Sequence, residues 1–305
     1  ISANHLLNTG HYQNALKSLL FQYDLAKALK DDLSLRIASS GLGIVHTRMG
    51  NLEAAHKAYV EAINIADKIN DRFGFAKVLS DMATLNRRMG KHQEALDHFH
   101  RSLKIFESLG NLVFQSVVLH GIGDVYLQDA NYPEALKYFR KALKIASQCK
   151  DLFGISFEQD SIGDILLSTG KIAEAKALYT KNLKLQKKIG DNEGIAHTYG
   201  NLGNVARKEN NLPLAIKYYI QNIKLTIEVG DKEGTGKGYF NLALIYEDLN
   251  DKKKVVELLK KALKCFKQAG SANLIELTAK HLQEVIQSKE EESKKRKGQP
   301  ERGIN

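Results

Sequence analysis

The amino-acid sequence predicts an all-α fold, a solenoid of antiparallel helix hairpins stacked one on the next, and three observations carry that prediction. Small residues recur every forty positions: Gly10, Gly50, Gly90 and Gly170, with Ala130, Asn210 and Asn250 in the same register. Two further series keep that period, Ala3, Gly43, Ala83, Gly123, Gly163, Gly203 and Ala243 in one, and Ala15, Ala55, Ala95, Ala135, Ala175 and Ala215 in the other, where Val255 breaks the row. Within a period, apolar residues fall at steps of three and four, the spacing of one helix face. Units of this length bury apolar surface only by stacking on their neighbours.

Taken from the start, Ile1 falls two residues before Ala3, already inside a first helix. Residues 1–30 are therefore expected to be a truncated first repeat, and the chain a fragment of something longer. Six full repeats follow over residues 31–270. In residues 191–230, Asp191 is placed to cap a first helix, with Gly194 in its opening turn and Tyr199, Leu202, Val205 and Ala206 as its apolar face. Asn210 and Asn211 interrupt it. Asn211 can cap the second helix and Pro213 sits in its first turn, where a missing N–H is harmless. Ala215, Ile216, Tyr219, Ile223 and Ile227 carry that helix to Gly230, a natural stop. Gly203 and Ala215 are expected to let the paired backbones approach closely, with Tyr219 filling the wider gap beyond. Tyr59, Phe99, Phe139 and Tyr179 occupy the place of Tyr219 in their own units, and Leu259 replaces the aromatic in the last.

Residues 271–289 predict one more amphipathic helix on Leu274, Leu277, Leu282, Val285 and Ile286. Gln283 stands where earlier units have a small residue, so this helix is expected to close the stack rather than extend it. From residue 290 the composition turns to Glu, Lys and Arg, and a charged disordered tail is expected over 290–305. Lys294 to Lys297 fits a short nuclear import signal in a chain otherwise expected to be cytoplasmic.

The 305 residues carry a formal net charge of +10, with 43% hydrophobic and 26% charged residues, a globular composition. No apolar run approaches the roughly 18 residues needed to span a bilayer. Lysines such as Lys137, Lys141, Lys181 and Lys184 recur on second helices, as a solvated face would place them. No nucleic-acid signature accompanies them. Cys149 and Cys265 belong to no metal or redox motif and suit a reducing compartment. The run Gly234-Thr235-Gly236-Lys237-Gly238 lacks the residues a phosphate loop needs at positions 231 and 238. His92, His98 and His100 do not share one helix face. Asp160 and Asp164 do, yet no nucleophile, base or oxyanion donor is specified beside them. Neither catalysis, cofactor nor metal is expected.

The pairs Leu42-Gly43, Ile122-Gly123, Ile162-Gly163 and Leu202-Gly203 stand on first helices. Second helices carry Ala55 with Tyr59 and Ala62, Ala135 with Phe139 and Ala142, and Ala215 with Tyr219. This pattern resembles the tetratricopeptide repeat over nearly the whole chain. The usual unit is about 34 residues; forty-residue units with a Gly-Asp-x-x-Gly junction, as at Gly190-Asp191 to Gly194 and Gly230-Asp231 to Gly234, look most like the Pins/LGN polarity scaffolds. Similar long units occur in bacterial regulators and sensor kinases.

The resemblance implies a right-handed superhelix whose first helices line a concave groove that binds a peptide or helical segment of another protein. Carried over unit by unit, the groove stripe is Ile37, Ser40, Ile44 and Arg48, then Lys77, Ser80, Thr84 and Arg88, then Val117, His120, Asp124 and Gln128. Phe157, Asp160, Asp164 and Ser168 follow, then His197, Asn201, Asn204 and Lys208, and last Lys237, Asn241, Leu244 and Asp248. Asn201 and Asn204 resemble the paired asparagines with which Pins/LGN-type repeats hold a bound peptide, and Asn241 continues the row. Asp124, Asp160 and Asp164 make the middle of the stripe acidic. The stripe implies a segment docked across 117–241, with a basic side chain near Asp160 and Asp164 and acidic ones near Lys208 and Lys237. The chaperone-tail carboxylate clamp is not matched, because its lysine position is Gly200. An alternative expectation is a regulatory sensor module of a larger signalling protein, binding a signal peptide or its own effector domain.

Overall fold

A computed structural model describes residues 12–297, the stretch 290–297 by its backbone alone. Fourteen helices and no strand occur among the described residues. They are α1 (Tyr12–Leu29), α2 (Asp32–Arg48), α3 (Leu52–Lys68), α4 (Arg72–Arg88), α5 (His92–Ser108), α6 (Leu112–Gln128) and α7 (Tyr132–Gln148). Then come α8 (Leu152–Ser168), α9 (Ile172–Ile189), α10 (Asn192–Lys208), α11 (Leu212–Glu228), α12 (Lys232–Asp248), α13 (Lys252–Ala269) and α14 (Ala272–Lys297). The all-α hairpin-repeat fold is as the sequence predicts. None of these helices is long and apolar enough to cross a membrane. The chain divides into two compact units, 1–158 and 159–305.

The junctions explain the regularity. A residue with positive φ stands at every twentieth position from 30 to 270, thirteen in all among the described residues. Seven are glycines and the others are Lys30, Asn70, Ala130, Lys150, Asn210 and Asn250. Each ends one helix in the left-handed region, and one residue later the next helix begins its cap. At Gly190 (φ 73°) the stop is followed by Asp191, whose carboxylate accepts from the Gly194 N–H at 2.9 Å. A Cβ on Gly194 would lie 2.2 Å from the other oxygen of that carboxylate, Oδ2. The Gly-Asp-x-x-Gly junction is thus a stop, a cap and the space the cap needs. Ala130 adopts φ 54° without glycine's freedom. Ala130→Gly is expected to raise stability by about 0.5–1 kcal/mol, the left-handed penalty on alanine outweighing glycine's entropy. Urea denaturation checks it, and an unchanged or lowered midpoint would refute it.

Within each unit, successive helices lie against one another in chain order, and the first helices of neighbouring hairpins also touch, α2 with α4, α4 with α6 and α10 with α12. In the first unit Tyr59, Val78, Met82 and Leu85 form one of the buried clusters, and Phe99, Phe106, Ile122 and Val125 another. In the second, Tyr219, Leu242, Ile245 and Leu259 share a core with Val285 of α14.

The small-residue series acts differently from the expectation. The aromatic does not fill a gap beyond the glycine; its ring lies on the glycine itself. A Cβ built on Gly43, Gly123, Gly163 or Gly203 would meet Tyr59, Phe139, Tyr179 or Tyr219 at 2.4, 2.6, 2.5 and 2.7 Å. Where alanine holds the position, at Ala83, the ring of Phe99 reaches Gly121 of α6 instead, 2.5 Å from a Cβ placed there.

The last helix also corrects the sequence reading. It runs on to Lys297, past the predicted end at residue 289. Glu, Lys, Ser and Arg all tolerate a helix, and neither glycine nor proline occurs until Gly298. Composition signals solvation there, not a break. The rest of the expected tail, 298–305, and the start of the truncated repeat, 1–11, lie outside the described residues.

Candidate functional site

In the second unit a slot of about 600 Å³ opens between α10 and α12, over the C-terminal part of α11. The helical period sets Asn201, Asn204 and His197 on the facing side of α10, and Lys237 and Asn241 on that of α12. Asn222 of α11 forms the floor, donating through Nδ2 to the Ala196 carbonyl at 2.8 Å. Two glycines keep the slot open: a Cβ on Gly200 would come within 3.3 Å of the Asn222 amide nitrogen, and one on Gly238 within 2.5 Å of its oxygen.

Internal hydrogen bonds aim the two asparagines. Asn204 accepts through Oδ1 from the Tyr219 hydroxyl at 2.7 Å, which leaves its Nδ2 on the slot side. Asn201 donates through Nδ2 to Asp164 at 2.7 Å, which leaves its carbonyl oxygen as an acceptor. One amide therefore offers a donor and the other an acceptor, as an extended backbone requires. Lys237 is paired with Glu233 at 2.6 Å at the slot's edge, and Lys208 is exposed at the end of α10.

Asp160 and Asp164 lie behind this row rather than in it. Asp164 accepts from the Tyr179 hydroxyl at 2.6 Å as well as from Asn201. Asp160 accepts from Gln186 at 2.9 Å and Thr198 at 3.1 Å, and from Asn182. The sequence reading offers both carboxylates to a basic ligand side chain. In the structure neighbouring side chains occupy both oxygens of Asp160, whereas at Asp164 both contacts go to Oδ1. Burial is the main cause of their titration behaviour: it pushes Asp160 up to about 6 and Asp164 above the usual carboxylate range, against the hydrogen bonds that favour the charged forms. Burial and the Asp164 charge raise the Tyr179 hydroxyl too, keeping it a proton donor.

Asp124 belongs to the first unit, where it faces Arg87 at 3.4 Å and His120 Nε2 at 3.4 Å. The predicted stripe fails at Ser40, which is only 3% exposed and sits inside the hairpin stack. His92 instead pairs with Asp129, and His98 bonds the Glu94 carbonyl at 2.9 Å, so these imidazoles serve separate local contacts. Sequence reasoning missed Asn222 and Gly238. A signal existed for each: Asn222 stands where Ala142 and Ala262 occupy the register, and Gly238 where Val118 and Val78 do.

The family model of the tetratricopeptide repeat matches residues 74–148, 159–221 and 194–268. A model of anaphase-promoting complex subunit 5 matches residues 2–89. No curated protein matches the chain. Among solved structures it is similar to a signal transduction ATPase with numerous domains and a tetratricopeptide repeat sensor from Pyrococcus horikoshii. That likeness has TM-score 0.69 and 21% identity, and covers 90% of this chain and 43% of that one. A Rap protein complexed with Competence and Sporulation Factor is similar at TM-score 0.64 and 15% identity, over 90% and 80% of the two chains. BtubC from P. vanneervenii is similar at 0.63 and 14%, over 72% and 92%. At these identities the likeness is one of fold. The repeat match spans more than half of the sequence, and the helix pairs, glycine–aromatic contacts and capped junctions are those of its units. The chain belongs to the tetratricopeptide repeat family, whose members are protein-interaction scaffolds.

Proposed function

We propose that the chain is a noncatalytic scaffold of the long-repeat, Pins/LGN-like kind, and that the slot between α10 and α12 takes an extended segment of another polypeptide. The observation that carries this reading is the row of side-chain amides, Asn201, Asn204 and Asn241, around a floor kept open by glycines. Amides pair with main-chain N–H and C=O whatever the ligand's sequence, so they give register and affinity. Lys208 and Lys237 supply selectivity by favouring acidic side chains. Asp160 and Asp164 support the site, Asp164 by holding Asn201 in place.

The test is retention of partner proteins on immobilised chain, native against an Asn201→Ala, Asn204→Ala, Lys208→Ala variant whose melting curve is recorded alongside. Losing two amide contacts of about 1 kcal/mol each predicts a drop of roughly tenfold or more. Identical retention by a folded variant would defeat the assignment. A second reading, a sensor module of a larger signalling protein, is favoured by two similar structures: the Pyrococcus protein carries its repeats as a sensor, and the Rap protein is complexed with Competence and Sporulation Factor. An effector domain in the same polypeptide would support it.

A further inference from the structure

The same place in the repeat frame, eighty residues earlier, has the opposite chemistry. Between α6 and α8 in the first unit a slot of about 170 Å³ is lined mainly by apolar side chains. Val113, Val117 and Phe157 stand on its rim with 59%, 54% and 59% of their surface exposed. The matching positions of the second unit are Glu193, His197 and Lys237. Three large apolar side chains held out to solvent at one slot form an exposed apolar patch of the kind that marks an interaction surface.

Beneath this rim is a carboxylate with an unfinished hydrogen-bond set. Glu158 is 3% exposed; its Oε1 faces His120 Nδ1 at 3.0 Å, while Oε2 has no partner. His120 is fixed by a second contact to Asp124 at 3.4 Å and by a tilted ring contact with Phe157, with ring centroids 4.6 Å apart. It is therefore committed to the Oε1 side. Glu158 and Asp151 are the carboxyl side chains lining the slot, and neither lysine nor arginine lines it. A buried carboxylate oxygen without a donor is an acceptor waiting for one, and the acidic lining selects a cationic donor.

We propose that this slot receives an arginine or lysine side chain from an apolar segment of a partner protein. The alkyl stem lies against Val113, Val117 and Phe157, and the cationic head donates to the second oxygen of Glu158. Long basic side chains suit such a site because the stem is apolar and the head is charged. A guanidinium can also lie on the Phe157 ring. The inference stands apart from the amide slot of the second unit, which uses none of these residues.

The test is an NMR titration of the full chain with the acetylated, amidated tripeptide Leu-Arg-Leu, against matched peptides bearing norleucine or glutamate at the centre. The arginine peptide is expected to shift Val113, Val117 and His120 resonances saturably and to bind about tenfold tighter than the norleucine peptide. Glu158→Gln should remove that difference while leaving norleucine binding unchanged. Val113→Ser with Val117→Ser, at exposed positions that leave the Glu158 pair intact, should weaken both peptides. Asn201→Ala with Asn204→Ala should alter neither, which separates this outcome from that of the amide slot. Equal binding of the arginine and norleucine peptides, a preference for glutamate, shifts confined to residues 193–241, or no saturable shift would each overturn the proposal.

Discussion

Gly203→Leu is expected to destabilise the second unit by about 1–3 kcal/mol through overpacking. The Tyr219 ring lies on Gly203 with no room for even one added carbon, since a Cβ there would sit 2.7 Å from a ring atom. The ring cannot simply swing away. It is 1% exposed, and its hydroxyl is tied to Asn204 at 2.7 Å. A leucine must therefore push α11 off α10 or expel the ring and break the contact that aims Asn204. The expected fall in melting temperature is about 3–10 °C. Adding Tyr219→Ala should recover part of it, because the leucine then occupies the vacated ring volume, a coupling a double-mutant cycle measures. Ser168→Leu, on an exposed position, serves as control. A Gly203→Leu chain as stable as that control would mean the glycine–aromatic contact does not set the hairpin spacing.

The second large effect is a loss of stability as pH rises. Asp160 titrates at about 6 in the folded chain against an ordinary 3.8, so the folded state keeps a proton that the unfolded chain releases. Where the unfolded state binds fewer protons, stability falls with increasing pH. The contribution is fully present below about pH 4 and is lost as pH climbs through 6, amounting to about 2–3 kcal/mol. Asp164 shifts in the same direction for the same reason, burial. Asp160→Asn keeps the shape without the charge and should flatten the profile across that window. Urea midpoints at pH 4, 5, 6 and 7 for both chains decide it, and parallel curves would sink the claim. The cost is tolerated because the ionised pair organises Gln186, Thr198 and Asn201 around it.

The scaffold was legible in the sequence because its signals are local. Asp191 caps α10, Asn211 caps α11 with Pro213 in the first turn, and Gly230 turns left-handed at φ 79°, each as the residue type predicts. The site was legible only in part. The resemblance and the helical period put Asn201, Asn204, Lys237 and Asn241 on first helices, and all four line one slot between α10 and α12. Spacing could not say that Asp160 and Asp164 would be met by Tyr179, Gln186 and Thr198, because those partners come from other helices. Nor could it separate Val113 from the core, since an apolar residue gives the same periodic signal inside or out, although Val117 and Phe157 fell on the groove stripe. Glu158 carried no motif, and only its burial beside an unfilled slot singles it out.

The twenty-residue beat of left-handed residues has a consequence for how such a chain can change length. Removing residues 191–230 would join Gly190 to Asp231 and restore the stop, the cap and the spare glycine at 234 without altering a single junction residue. Duplicating the same span is equally seamless. Gain and loss in steps of one hairpin are thus conformationally silent at the seam, whereas an insertion that is not a multiple of twenty residues lands a helical residue on a hinge. The grammar of the backbone leaves the slots free to diverge.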